Sequence, residues 1–276
     1  MGSDMYRFLL RPRWIAGHVL LLVGVVTFVN LGFWQLRRLD ERRTHNALVT
    51  ERLEAPPVTL DELLATVGPD ASALEYRRVT VAGRYQADGQ VLTAPRSRDG
   101  RPGPQVLTVL RGDWFHETRG RPAPPDGGSQ REDGVVLVDR GWIPFARDAA
   151  APAPPAGDVR VEGIVRAPEP GDVGAAEQVA RIVPQRIGER LGQPLPPYYV
   201  QLWRQQPPPT GGAPLPAGAP ELSEGSHQSY ALQWFSFALI ALIGYPVLLW
   251  RNAREPAGGA VAADADDPLR ERARIP

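Results

Sequence analysis

Two long apolar stretches bracket a chain whose middle alternates between apolar and polar positions. Trp14 to Leu36 is 23 residues with no formal charge, interrupted only by the titratable His18. Tyr230 to Trp250 is 21 residues with no ionisable group other than tyrosine. As helices rising about 1.5 Å per residue they measure about 34 and 31 Å, enough to cross a hydrocarbon layer of about 30 Å. Trp14, Trp34, Tyr230 and Trp250 stand at their ends, where an aromatic belt belongs. Pro246 is tolerated near a helix end. The first stretch is too long for a cleaved leader and runs into "WQLRRLDERR" rather than a small-residue cleavage site, so it reads as a retained anchor.

Between the two stretches the period changes. "LRRLDERRTHNALVTERLEA" continues the first helix outward, and "VTLDELLATV" has Thr59 and Glu62 at capping-box spacing, which predicts a short helix. "YRRVTVAGRYQ", "QVLTAPRSR", "PQVLTVLRGDW", "GVVLVDRGWIPF", "DVRVEGIVRAPEP" and "PYYVQLWRQ" alternate with period two and predict strands. "IVPQRIGERLGQ" predicts one more helix. "RGRPAPPDGGSQRED" and "ARDAAAPAPPAG" read as surface loops, and "QQPPPTGGAPLPAGAPELSEG" as a semi-extended connector. No internal repeat is visible.

The expected architecture is an α+β membrane protein: two transmembrane helices flanking a small antiparallel β-rich extracytoplasmic domain with two or three short helices. The expected segments are a cytoplasmic N-terminus at 1–13, the first span at 14–36, the β-rich domain at 37–206, the connector at 207–226, the second span at 227–250, and a disordered cytoplasmic tail at 251–276. Orientation follows from charge. Glu221 and Glu224 precede the second span and Arg251 and Arg254 follow it, which predicts both termini inside and the long loop outside. Arginines flank the first span on both sides and decide nothing alone.

Composition then removes function classes. The formal net charge is zero, which argues against nucleic acid as a partner. There is no cysteine, so disulfides, thiolate metal sites and cysteine nucleophiles are excluded. All 31 Lys+Arg residues are arginine. Neither a phosphate-cradling Gly-Lys loop nor a G-x-S-x-G or H-E-x-x-H motif occurs. The histidines are His18, His45, His116 and His227. No nucleophile–base–orienter set can be assembled from their spacing.

His227 opens the second span. On a helix it shares a face with Tyr230, Ala231, Trp234, Ala238 and Ala241. Small residues leave room for a flat partner, aromatics can flank it, and a neutral imidazole can ligate iron. Its other ring nitrogen needs a hydrogen-bond partner, for which Glu224 or the connector backbone is available. The alternative is an ordinary polar border beside close-packed helices. Trp34 and Gln35 end the first span at the same depth, as partner contacts or as a belt tryptophan before a solvated helix. Asp139, Arg140 and Gly141 end an apolar strand, where they either bind a partner or pin a turn. His18 and Asn30 are polar groups within the first span, functional or bonded between helices.

Five motifs in order, "LGFWQLRRLDER", "YRRVTVAGRYQADGQVLTAPR", "VLVDRGWIP", "PYYVQL" and "HQSYALQWFSFALIALIGY", resemble the surfeit-locus family of cytochrome c oxidase assembly factors (Shy-type in yeast). The resemblance runs from about Pro12 to Arg254. It implies a non-enzymatic chaperone of the respiratory chain in a bacterial plasma membrane, acting where haem a reaches the catalytic subunit of cytochrome c oxidase. Haem a synthase and the lipid bilayer are further implied partners. It places haem a binding on His227, with Tyr230 and Trp234 lining the site. Its motifs place partner contacts on Trp34, Gln35, Arg140, Gly141 and Trp142, to which the small-residue face adds Ala231 and Ala238. Tyr198 and Tyr199 fall on the family's tyrosine pair. Two other classes stay open: an accessory subunit that stays with the oxidase without holding haem, and a membrane-tethered hydrolase or haem-modifying enzyme.

Overall fold

The structure, a computed structural model, describes residues 7–112, 134–145, 151–174 and 176–254. His116 and the tail after Arg254 lie outside the described residues. The chain divides into two compact units, Met1–Thr44 with Ser223–Pro276, and His45–Leu222.

The first unit is a helix pair. Helix α1 runs Pro12–Glu54, so the apolar stretch and its charged continuation form one uninterrupted element. The Pro/Gly-free stretch from 33 to 54 gives it no reason to stop. Its first part pairs with the last helix of the chain. Both helices are long and apolar enough to cross a membrane.

The second unit contains β1 (Val58–Thr59), α2 (Leu60–Val67), α3 (Ala71–Leu74), β2 (Arg78–Leu92), β3 (Arg96–Arg98), β4 (Arg101–Gly103), β5 (Gln105–Gly112), β6 (Gly134–Trp142), β7 (Asp158–Arg166), α4 (Pro184–Leu191) and β8 (Tyr199–Gln206). Helix α5 (His227–Arg254) then returns to the helix pair. The Thr59 hydroxyl accepts from the Glu62 N–H and caps α2, as the spacing predicts.

Strands run in the order β1-β2-β5-β6-β8-β7, and β7 also pairs with β2, which closes a β-barrel-like sheet. Two pairings correct the expected all-antiparallel arrangement: β6 with β8 and β1 with β2 are parallel. The intervening α4 provides the crossover that a parallel β6–β8 pair needs. The first expected strand and the start of the second merge into β2, and the end of the second is β3; the register of β2 shifts between Tyr85 and Gln90 where it leaves β7 and turns along β5.

Period two decides the core. Val79, Val81, Leu110, Val136, Val138, Val161, Val200 and Leu202 face one apolar cluster, sealed by Leu60 and Leu63 of α2 and Leu74 of α3. The intervening Leu107, Val109, Leu137 and Tyr199 face a second cluster, covered by Ile187 of α4 with Val173, Val179, Ile182 and Leu195. Strands buried on both faces explain why "VVLV" shows little alternation.

Candidate functional site at the end of the helix pair

In α1 the inward positions are Trp14, His18, Leu21, Val25, Phe28, Gly32, Gln35 and Leu39; in α5 they are His227, Ala231, Trp234, Ala238, Ala241, Tyr245 and Leu249. Steps of four and three make each a heptad seam, the pattern of two helices packed knobs into holes. The pair is antiparallel, with His18 against Tyr245 and Gln35 against His227; between these ends Phe28 stacks on Trp234 with ring centroids 5.8 Å apart, and Phe33 meets Phe235 edge-on at 5.4 Å. Gly32 is buried because the Phe235 ring occupies its side: an added Cβ would stand 2.6 Å from that ring. A buried glycine facing a phenylalanine lets the two backbones approach closely.

This seam corrects one expectation. Ala231 and Ala238 are 2% and 4% exposed, covered by the chain's own helix pair rather than offered to a partner. Small residues suit any close helix contact, and here that contact is internal.

One polar group closes the seam at each end. At one end His227, half-buried as the first residue of α5, places Nδ1 2.8 Å from the Gln35 Oε1 of α1. Gln35, expected as a partner contact, is 8% exposed and is taken up by this internal bond. Glu224, expected to serve His227, instead takes a bidentate pair of 3.0 Å bonds from Arg43. That pair holds the Glu224 carboxyl below its ordinary range, first through the Arg43 hydrogen bond, and fixes the turn that starts α5. At the other end Tyr245 Oη lies 2.7 Å from His18 Nδ1. Gly17 gives that hydroxyl room; an added Cβ would stand 3.1 Å from it. Asn30 donates within α1 to the Val26 carbonyl at 2.8 Å and does not bridge the helices.

Tyr230 and Trp234 follow His227 at one and two turns. Tyr230 is 48% exposed, whereas Trp234 is half-buried against Phe28 and Phe237. Trp34 is 46% exposed, one residue from the buried Gln35, and stays available to a partner. The far edge of the His227 ring faces Gly225, at φ +70°, where an added Cβ would lie 3.7 Å from Nε2. The site therefore has a half-buried imidazole whose Nε2 edge meets a residue without a side chain, with Tyr230 and Trp234 on the turns that follow.

The barrel uses its predicted residues differently. Arg140 is 1% exposed and Trp142 is 7% exposed, so the expected partner surface over Arg140, Gly141 and Trp142 is interior. Arg140 lies where the register between β5 and β6 shifts and two residues stand against one step of the partner strand. Its guanidinium donates to Gln90 Oε1 at 3.0 Å and to the carbonyls of Pro152 and Ala153 at 3.1 and 3.2 Å. Gly141, at φ +121°, lies so close to the connector that a Cβ would stand 2.2 Å from the Leu215 carbonyl. Trp142 and Leu215 exchange two backbone bonds of 2.8 Å. Arg98, which the motifs did not flag, donates to the Leu215 and Pro216 carbonyls at 2.9 and 3.0 Å. The Arg-Gly-Trp strand end is thus the dock for this chain's own connector.

Asp139 is 2% exposed. Burial raises its carboxyl to about 6, against bonds from the Gly141 N–H at 3.0 Å and from Gln105 Nε2 at 3.1 Å. Tyr198 and Tyr199 lie on opposite sides of β8 in the two apolar clusters. A groove of about 760 Å³ elsewhere on the barrel is lined by Asp61, Arg84, Arg111, Asp158 and Arg160, and takes in no residue of the His227 site. Among the described residues no group of three or more His, Asp or Glu could hold a metal ion.

Comparison with known proteins agrees with this layout. The SURF1 family profile matches residues 22–239, which begin inside α1 and end inside α5. A SURF1-like protein of Mycobacterium bovis is 33% identical over 262 residues, covering 90% of this chain and 87% of the relative. A SURF1-like protein of Monosiga brevicollis is 28% identical over 91% of this chain and 92% of its own length. Surfeit locus protein 1 of Arabidopsis thaliana is 30% identical over 126 residues, 46% of this chain and 33% of the relative. The chain belongs to the SURF1 family, a family of cytochrome oxidase assembly factors rather than catalysts.

Proposed function

We propose that this chain holds haem a as transient cargo at His227 and passes it to the catalytic subunit of cytochrome c oxidase. The observation that carries the reading is the half-buried His227 imidazole, anchored through Nδ1 and with Nε2 beside a residue that has no side chain, at the end of two helices long enough to span a bilayer. An imidazole nitrogen is a normal haem-iron ligand. The macrocycle's apolar faces suit the exposed Tyr230 and the adjoining Trp234, and its isoprenoid tail suits the surrounding lipid. One protein ligand is enough to hold iron without making transfer slow.

In this reading the helix pair spans a bacterial plasma membrane with both termini in the cytoplasm and the barrel outside, an orientation favoured by Arg251 and Arg254 in the last turn of α5. Trp34 and the exposed apolar sides of the pair meet transmembrane helices of the oxidase. Haem a synthase is the source from which the cargo arrives.

The test is co-expression with haem a biosynthesis, followed by optical spectra of purified wild type, His227→Ala and His18→Ala. His227→Ala is expected to lose haem and shift the absorption, while His18→Ala keeps both. Equal haem content and identical spectra in wild type and His227→Ala would remove His227 from the site. Loss confined to His18→Ala would move the site to the other end of the pair. Orientation is read with an impermeant thiol reagent on intact cells carrying single cysteines at Ser97 or Arg11: labelling at Ser97 alone is expected, and labelling at Arg11 alone reverses the topology.

A further inference from the structure

The inference concerns Gln35 and rests on the reading of His227 as the cargo ligand. A neutral imidazole carries its proton on one ring nitrogen, and only the other has a lone pair to give a metal. Which nitrogen is protonated is set by the hydrogen bond the ring makes. The Gln35 amide oxygen has no proton to give. At 2.8 Å from it, His227 Nδ1 must be the donor, and Nε2 keeps its lone pair. Nε2 is also the nitrogen beside Gly225, where no side chain stands in the way. Gln35 is itself 8% exposed and stands on the α1 seam between the buried Gly32 and Leu39, so its amide is held by packing.

We propose that Gln35 is a positioning residue for cargo ligation: it sets the His227 ring with the proton on Nδ1 before cargo arrives, and so keeps Nε2 ready. Gln35 and His227 stand on different helices, which couples the grip at Nε2 to the register of α1 against α5. A slide or rotation that breaks the 2.8 Å bond removes the acceptor that holds the proton on Nδ1, so that a ring not engaged at Nε2 can exchange that proton with solvent for one on Nε2. The ring is then in its other neutral form, with no lone pair at Nε2 and no net change in charge. A partner that shifts the helix pair thereby loosens the ligand.

The experiment uses the full chain in lipid nanodiscs with ¹⁵N-labelled histidine. Ring ¹⁵N shifts of the unloaded protein report which nitrogen of His227 carries the proton, independently of any haem. Wild type is expected to show protonated Nδ1 and a lone-pair-bearing Nε2. Gln35→Leu fits the apolar seam and removes the acceptor, and is expected to move the proton to Nε2. Gln35→Glu restores an acceptor and is expected to restore the wild-type pattern. His18 in the same spectra is expected not to change. Titration with ferric protoporphyrin IX is expected to weaken about tenfold in Gln35→Leu, the usual scale for losing a ligand's hydrogen-bond partner, and to recover in Gln35→Glu. Wild-type His227 with its proton on Nε2 would overturn the proposal, as would a Gln35→Leu chain that binds the porphyrin as wild type does. A wild type that binds no porphyrin overturns the ligand reading as well. It is distinguished from failure of Gln35 alone, in which wild type binds and the variants match it.

Discussion

The barrel and the helix pair both bury polar side chains, but they satisfy them in opposite ways. The barrel encloses formal charge. Arg140 is buried on three carbonyl oxygens, one from a side chain and two from the backbone, and Asp139 is buried beside the Gly141 N–H. The seam from Trp14 to Gln35 and from His227 to Leu249 carries no carboxylate or guanidinium, and closes each end with one neutral pair, His227–Gln35 and His18–Tyr245. A charge enclosed in the barrel is a structural commitment, because taking away one partner strands the others. A neutral pair at the edge of an apolar seam can break at small cost, which suits a group that must take and release cargo.

The largest expected effect is in the barrel. Arg140→Ala removes a buried guanidinium and leaves the Gln90, Pro152 and Ala153 oxygens without their donor. Three hydrogen bonds to a charged group at about 1.5–3 kcal/mol each set an upper range of about 4.5–9 kcal/mol, which the cost of desolvating the guanidinium lowers to about 3–5 kcal/mol. Urea unfolding of the full chain in detergent, followed by far-ultraviolet circular dichroism, reads it. His227→Ala in the same assay should cost under about 1 kcal/mol, as for a residue at a polar border. Equal losses at the two positions would erase the distinction between the units.

The next effect is pH-dependent. Burial raises the Asp139 carboxyl from 3.8 to about 6, so between those values the folded chain holds a proton that the unfolded chain has released. Stability contributed by the protonated form is complete below about pH 4 and is lost as pH rises through about 6, amounting to about 3 kcal/mol. Glu162, pulled down by hydrogen bonds from Arg204 and Arg78, acts with the opposite sign below 4.5 and so meets this window only at its acid end. Asp139→Asn keeps an acceptor for the Gly141 N–H and should flatten the change in urea midpoint between pH 4 and 7. A wild-type profile already flat over that range would show that Asp139 does not hold its proton.

These contrasts also show what the sequence could reveal. Period two located the strands, the apolar runs located both long helices, and Thr59 with Glu62 located a cap, because each depends on residues near one another in the chain. The parallel β6–β8 pairing depends on closure of the whole sheet and left no local trace, whereas the four-residue α3 is too short for an apolar period and shows only in its cap, Asp70 accepting from the Ser72 N–H. Ala231 and Ala238 were readable as a close-packing face, but small residues do not say which helix packs there. Arg140, Gly141 and Trp142 were readable as special, yet their partner is Leu215, far along a Pro-rich connector. Gln35 and His227 were both singled out; that they bond each other spans 192 residues. The one available clue was position: Gln35 falls on the four-and-three spacing of an otherwise apolar seam, so it had to face something on the second helix.

Within the helix pair, the two ends should respond unequally to crowding. Gly32 lies one turn before Gln35, and its missing side chain is filled by the Phe235 ring at 2.6 Å. An aromatic ring wedged in a seam cannot move without displacing its neighbours. Gly32→Ala should therefore cost about 1–3 kcal/mol of overpacking, less up to about 1 kcal/mol gained in helix propensity. It should also push α1 from α5 next to the His227–Gln35 bond. Double electron–electron resonance between spin labels on the two helices is expected to show a wider spacing than wild type. An unchanged distance would mean that Phe235 finds another rotamer and that the seam is looser than its glycine suggests.

The smallest effect is expected at the opposite end. At Gly17 an added Cβ would meet the Tyr245 hydroxyl at 3.1 Å and ring carbons only at 3.9 Å and beyond. That contact asks a neighbour to yield by a few tenths of an ångström, and the neighbour is the tip of a side chain rather than a wedged ring. Gly17→Ala also gains up to about 1 kcal/mol of helix propensity, which offsets the crowding. The net change in stability should fall within about 0.5 kcal/mol, as for most substitutions away from a tight core. What should change is the 2.7 Å bond from Tyr245 Oη to His18 Nδ1, because the hydroxyl is the atom displaced. Tyrosine can donate or accept, so His18 is not confined to one tautomer as His227 is by the acceptor-only oxygen of Gln35. Ring ¹⁵N shifts in Gly17→Ala are therefore expected to move for His18 and stay fixed for His227. A shift at both histidines would mean that the helix pair transmits strain from end to end, and that the two polar pairs are one device rather than two.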